Sequence, residues 1–380
     1  MTTPRLRRSL IAMTATLAIG GTLVACGSDE EAVPEATGEG ELADVCPANI
    51  VIQSDWEPEA EHGGIYQLVG DGYVIDTDKK SVTGPLLDAG EDTGVTVEIR
   101  IGGASVGYAS VSQLMNDDPD IMMGFSRVGD SIATQKTIPV TAVMASMEKS
   151  PYGIYWDADT YPEVETIADL QDTDAVIMIG NEAEVWVSYL IEEGVLDEDQ
   201  LDRSAQDKPA AFVGANGENA EIGFMTAEPN LYSNGVWGEF NIKGQLLDEA
   251  GYPEYFQSVV VNSSDIEDKA DCLELLVPMM QQAQLDYRTD PAATNDLIVE
   301  LVEEYQNAWQ YDLDAANYAH DKGVEIGILA DSEDGVTGKF DMDRVQELLD
   351  IVSENPDVDA EGLTADELAT NQFIDESIGG

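Results

Sequence analysis

Two cysteines, Cys46 and Cys272, constrain this chain more than any other feature, because a bond between them closes most of the sequence into one loop. It would hold the segment before the first apolar strand against a segment near residue 272, so the chain must leave its first lobe and return. The expectation that they pair comes from the N-terminus. Arg5, Arg7 and Arg8 precede an apolar run from Leu10 to Ile19, and Leu23-Val24-Ala25-Cys26 follows. That run is too short to span a bilayer. Charge, apolar core and small residues in that order make residues 1–25 a signal peptide, and Leu-Val-Ala-Cys matches the bacterial lipobox, with Cys26 as the lipid acceptor. Arg7-Arg8 leaves twin-arginine and general export both open. An exported protein sits where disulfides persist, and a bond across so long a loop contributes about 3–5 kcal/mol in the loop-entropy picture.

After Cys26 the stretch to Val45 is acidic and poor in apolar bulk, which predicts a flexible tether over residues 26–45. Removing Arg5, Arg7 and Arg8 leaves 14 basic residues against 76 acidic ones, a net charge of −62. Such a surface repels nucleic acid. Whether the charge is an adaptation to extracellular salt or only a solvated surface stays open.

The chain then reads as alternating strands and helices. Ile50-Val51-Ile52 suits a buried strand, and Trp56, Glu57, Pro58 and Gly63-Gly64 cannot continue one, so the strand opens into a loop of the kind that holds ligands in open α/β sheets. A helix is expected over 63–73, a polar loop through Lys80, and an alternating strand from Val95 to Ile101. Strands at 121–123 and 140–147, with helices at 110–115 and 127–134, complete a mainly parallel sheet. Composition breaks at Ser150-Pro151. Strands at 176–179, 210–213 and 221–225 and a helix carrying Trp186 make a second lobe over 148–239, with 46–147 and 240–380 forming the first. Helices are predicted over 273–285, 292–309 and 340–352.

Catalytic chemistry has one candidate. Gly103-Ala104-Ser105-Val106-Gly107 fits G-x-S-x-G after a strand, His62-Gly63-Gly64 resembles an oxyanion loop, and His320 could act as base; a serine hydrolase using Ser105 and His320 is the alternative function. No His/Cys cluster, calcium loop, Walker loop or dinucleotide loop occurs, so neither metal nor cofactor is expected.

The order of several motifs carries a family resemblance. Trp56-Glu57-Pro58 with His62-Gly63 and Tyr66, Ile101-Gly102-Gly103, residues Gly223 to Pro229 (GFMTAEP), Gln281-Gln282-Ala283-Gln284 and Gly338-Lys339-Phe340-Asp341 follow one another across residues 48–352. In this the chain resembles the solute-binding lipoproteins of ABC importers, in the family of nitrate, sulfonate, taurine and thiamine-pyrimidine-precursor binders. The resemblance implies a two-lobed periplasmic-binding-protein-like α/β fold with two crossovers, a small ligand in the cleft, and no catalysis. It also implies delivery to a permease and its ATPase by a monomer anchored to the outer face of the membrane.

Residue type narrows the ligand. The turn Gly180-Asn181-Glu182-Ala183-Glu184 would repel an oxyanion, whereas Trp56, Tyr66, Phe125 and Trp186 can stack on a nitrogen heterocycle while Glu182 or Glu228 accepts its N–H bonds. Gly103, Ser105 and His62 complete the candidate site. Trp186 reads equally as core, Glu182 as a charge at a helix N-terminus, His62 as a loop residue bonded to backbone, and Ser105 as a cap.

Overall fold

The computed structural model describes residues 33–180, 185–205 and 207–380, and residues 33–380 form one compact unit. Cys26 and Glu182 lie outside the described residues. In chain order the unit begins with α1 (Glu41–Val45), β1 (Asn49–Gln53), α2 (Gly63–Tyr66), β2 (Val74–Asp76), β3 (Ser81–Asp88), β4 (Glu91–Arg100), α3 (Val111–Asp117), β5 (Ile121–Ser126), α4 (Val128–Thr134) and β6 (Val140–Ala145). There follow β7 (Tyr152–Asp157), β8 (Val176–Met178), α5 (Val185–Glu192), β9 (Leu201–Asp202), α6 (Lys208–Gly214), β10 (Asn219–Phe224), α7 (Glu228–Ser233) and β11 (Ile242–Leu246). The chain ends with β12 (Ser258–Asn262), α8 (Ala270–Thr289), α9 (Ala292–Tyr305), α10 (Leu313–Glu325), α11 (Met342–Ser353) and α12 (Ala365–Leu368).

The strands form two sheets, ordered β2-β3-β4-β1-β5-β12-β6 and β11-β7-β10-β8-β9. β1 pairs in parallel with β4 and β5, and β8 with β9 and β10. β3 and β12 run against the rest of the larger sheet, and β7 against the rest of the smaller one. The result is a mixed α/β fold of two sheets flanked by helices, with crossings between β6 and β7 and between β11 and β12.

Several expectations are corrected. The segment 210–213, read as a strand, lies in α6, because Asp207 accepts a bond from the Ala210 amide and Pro209 occupies the first turn. The helix expected over 63–73 stops at Tyr66, and the supposed loop through Lys80 holds β2. Ile242–Leu246 pairs with β7, so the return crossing falls after residue 246 and not near 240. Part of the segment 26–45 expected as a tether is folded: α1 forms there, with Leu42 buried at 2% exposure in the cluster that holds Ile50 and Cys272.

Three contacts position what lies beyond the strand ends. Cys46 and Cys272 are disulfide-bonded, with Cα atoms 4.9 Å apart, which joins the entry to β1 with α8. Gly63 and Gly64 let α8 come close: a Cβ on Gly63 would stand 2.1 Å from the Tyr287 ring, and one on Gly64 would stand 1.9 Å from Gln284 Oε1. Arg344 of α11 holds both crossings, donating to the Glu148 carbonyl at 2.7 Å on the first and to the Pro253 and Glu254 carbonyls at 3.2 and 3.0 Å on the second. Its guanidinium also lies 4.0 Å from the centroid of the Tyr255 ring.

The two glycines should therefore differ. Gly63→Ala pushes on a fully buried ring and is expected to cost about 1–3 kcal/mol, whereas Gly64→Ala meets the movable end of a glutamine side chain and should cost less. Urea unfolding of both variants checks the order.

Candidate functional site

The site is built where three strands end together. Gln53, the last residue of β1, donates through Nε2 to the carbonyls of Ser54 and Ile101, each at 2.9 Å, which ties the loop after β1 to the loop after β4. The two loops then touch backbone to backbone: Gly102 N donates to Trp56 O and Gly103 N to Asp55 O. A Cβ at Gly102 would lie 2.4 Å from the Asp55 carbonyl carbon, and Gly103 has φ +61°, so both positions need glycine. Gly124 on β5 plays the same part, since a Cβ there would stand 2.7 Å from Gln53 O.

Held in this way, the loop after β1 carries Asp55, Glu57, Glu59 and Glu61, with His62 at its end. His62 is 1% exposed; its Nε2 lies 2.8 Å from Asp55 Oδ1 and 2.9 Å from Gln257 Nε2, and its ring stands 5.5 Å from Phe125 by centroids. Its Nδ1 has no hydrogen-bond partner and lies 3.8 Å from Glu59 Oε1. Glu61 accepts a 2.5 Å hydrogen bond from Thr226 Oγ1, beyond the end of β10, so the acidic loop of the larger sheet meets the smaller sheet directly. Glu57 is held from the side by Asn307 Nδ2 at 2.6 Å and by Ser105 Oγ at 3.4 Å.

An aromatic rim borders the loop. Trp56 lies 6.0 Å from Tyr108 and 6.1 Å, edge to face, from Trp309, which itself stacks with Tyr311 at 5.9 Å. Trp309 Nε1 donates to Pro58 O, and Tyr311 Oη accepts from Ala60 N. On the crossing side Arg127 lies over Phe256 at 4.2 Å and Tyr152 at 5.3 Å, with Phe224 stacked on Tyr152 at 4.6 Å.

The carboxylates strain one another. Burial first, then the charges of Glu61, Asp55, Glu228 and Glu57, push the Glu59 carboxyl well above its usual range. Burial also raises Glu61 and Glu57, against the lowering effect of their hydrogen bonds with Thr226 and with Asn307 and Ser105. Glu228, which accepts from the Phe224 amide at 2.8 Å, is pushed up to about 7 by burial, and Glu254, which accepts from Gly129 N, likewise to about 7.

Of the residues read from sequence, Trp56, His62, Gly103, Ser105, Phe125 and Glu228 come to this region. Tyr66 sits beneath it, 1% exposed, with its hydroxyl unpaired and raised by burial and by neighbours that include Glu59 and Glu57. Trp186 does not: it is 6% exposed in the hydrophobic cluster with Ile177, Val187 and Leu190. Sequence reasoning missed Tyr108, Asn307, Trp309, Tyr311, Thr226 and Gln257. The helix expected to run through Trp309 stops at Tyr305, and Gln306 takes a left-handed φ of 49°, which releases Asn307 to Tyr311 as a loop over the site.

The hydrolase constellation is not assembled. Ser105 is exposed on a 3-10 turn with Glu57 as its partner. His320 is buried elsewhere, with Nδ1 3.1 Å from Asp321, Nε2 3.2 Å from the Arg288 carbonyl and its ring against Tyr287. The glycines after His62 serve the approach of α8, which accounts for the sequence that resembled an oxyanion loop.

Known structures place the fold. No family model matches the sequence, and no curated protein matches it. Solved structures do. The periplasmic aliphatic sulphonate binding protein SsuA of Escherichia coli is 10% identical, with a TM-score of 0.53 over 87% of this chain and 92% of that one. An ABC transporter structure from Parabacteroides distasonis is 10% identical, with a TM-score of 0.51 over 87% of this chain and all of that one, and the nitrate-binding protein NrtA of Synechocystis PCC 6803 is 11% identical, with a TM-score of 0.51 over 86% and 87%. The chain thus has the two-lobed fold of the periplasmic binding proteins.

The raised carboxyls fix the sign of a pH effect. A folded state that binds these protons more tightly than the unfolded chain loses stability as pH rises from about 4.5 through about 7. Between about pH 5 and pH 8 the wild type should lose about 1–3 kcal/mol more than Glu228→Gln, measured by denaturant unfolding at each pH.

Proposed function

We propose that this chain is the extracytoplasmic solute-binding lipoprotein of an ABC importer. It is anchored to the outer face of the membrane through Cys26 and captures a small nitrogen heterocycle such as a thiamine pyrimidine precursor. The observation that carries the reading is the Glu61–Thr226 hydrogen bond between the loops of the two sheets, set inside a ring of carboxylates and aromatic side chains. A cleft of this composition offers hydrogen-bond acceptors and π-faces, which suit a flat ring bearing N–H groups. It offers little to nitrate or a sulfonate.

In this reading the protein acts by binding and release, as a monomer, and hands its ligand to a permease driven by an ATPase. The comparable fold of known binding components supports this, as does the lipobox at Cys26. No helix among the described residues is long and apolar enough to cross a membrane. Trp56 supplies the stacking face and Ser105 acts through Glu57, with His62 and Glu228 on either side of the cleft.

A thermal-shift screen of residues 27–380 against thiamine, its pyrimidine precursors, other heterocycles, amines, nitrate and alkanesulfonates tests this. A pyrimidine or related heterocycle is expected to raise the melting temperature, and Trp56→Ala to weaken its binding about tenfold. Stabilisation by a sulfonate or nitrate alone would overturn the ligand assignment.

A further inference from the structure

The acidic cleft has a property beyond the shape of its ligand. Asp55, Glu57, Glu59 and Glu61 come from one loop and Glu228 from the start of α7, after β10 of the other sheet, and Glu59 experiences the charges of all the others. Among the described residues, the ion pairs of Asp55 and Glu59 are with His62 alone, and neither Lys nor Arg pairs with Glu57, Glu61 or Glu228. Lys80 and Lys208 lower Glu57 and Glu228 through their charge without forming an ion pair with them among the described residues, and the nearby cations make direct contacts to other groups. Lys80 Nζ donates to the Tyr305 carbonyl, Lys208 Nζ donates to the Ile222 carbonyl at 2.8 Å, and Arg127 lies against Phe256 and Tyr152 with Asp130 and Glu254 as charged neighbours.

A second, independent observation concerns polar atoms left without partners. His62 Nδ1, Tyr66 Oη and Gln257 Oε1 all lack a hydrogen-bond partner, on side chains that are each 1% exposed. His62 Nδ1 faces Glu59 at 3.8 Å, and the Gln257 amide stands with its nitrogen 3.5 Å from Asp55 Oδ1. Buried polar groups in folded proteins are almost always satisfied, so a group of them around one set of carboxylates marks a place where a partner binds. The carboxylates and the Gln257 amide oxygen are acceptors, while the Tyr66 hydroxyl and His62 Nδ1 can accept or donate, so the group can receive a ligand rich in donors.

We propose that the cleft takes an organic cation, an ammonium or amidinium with several N–H donors, whose charge is met by carboxylates from both sheets while its ring or alkyl part lies against Trp56 and Trp309. This rests on the reading of the cleft as a solute site and adds the ligand's charge to it. The charge also gives closure a cause. Bringing Glu228 up to Glu59 and Glu61 sets like charges together in a dry site, and a cation between them turns that repulsion into attraction. The aromatic rim adds cation–π attraction for a group held over Trp56.

The test uses two ligands that differ in charge and hardly in shape: one aminopyrimidine ring carrying an aminomethyl arm, and the same ring carrying a hydroxymethyl arm. Titration calorimetry on residues 27–380 at pH near 7.5 is expected to show the ammonium compound binding at least about tenfold more tightly, as a charge-assisted hydrogen bond implies. Glu59→Gln and Glu228→Gln, each checked for folding by circular dichroism, should each narrow that ratio. Equal or tighter binding of the hydroxymethyl compound overturns the cation inference and leaves the heterocycle reading standing. Binding of agmatine with neither pyrimidine bound does the reverse: it supports the cation and removes the heterocycle. Binding of nitrate or of an alkanesulfonate without an amine, or no cation bound at millimolar concentration, overturns the inference.

Discussion

The close approach of three strand ends is the constraint on which the rest depends. Gln53 spans the ends of β1 and β4 with its side-chain amide, and glycines at 102 and 124 remove the side chains that would keep those ends apart. Only then can the loop after β1 run across the top of the larger sheet with its carboxylates gathered. Ordinary hydrogen bonding and packing in this way fix an electrostatically costly arrangement. Such a cost persists where the surroundings determine it and where a bound partner relieves it.

The two crossings turn that local arrangement into a device. Both pass Arg344, which binds carbonyls on each and pairs with Glu148 at 3.4 Å and Asp248 at 3.0 Å. The smaller sheet is therefore tied to the larger at its base, while the Glu61–Thr226 bond joins them at the cleft. On the proposed reading, a ligand bound near Glu61 and Glu228 acts where the loops of the two sheets meet, and so bears on how they close.

Much of the larger sheet was legible. Ile50-Val51-Ile52 and the alternation from Val95 to Ile101 are strong strand signals, and β1, β4 and β5 form where they are expected. β3 was hidden because Gly84-Pro85 reads as a turn, and the strand tolerates the proline at a register shift. β7 was hidden behind Ser150-Pro151 and its own Gly153, and α6 was mistaken for a strand although Asp207 and Pro209 mark a helix start. For the site, Trp56 and His62 could be found because they follow an unmistakable strand. Trp309 and Tyr311 could not, because they arrive from the far end of the chain along a helix that stops one turn early. Trp186 shows the reverse error. An aromatic residue on an amphipathic helix carries the same pattern whether it meets a ligand or the core.

A positively charged nitrogenous molecule is the occupant proposed for the acidic cleft. Native mass spectrometry of the protein purified gently from its own host, followed by release and identification of whatever it carries, tests this most directly. The expected result is a bound organic cation rich in nitrogen, lost when Glu59 is replaced by Gln. Recovery of a sulfonate, nitrate or another anion from the same cleft would contradict it.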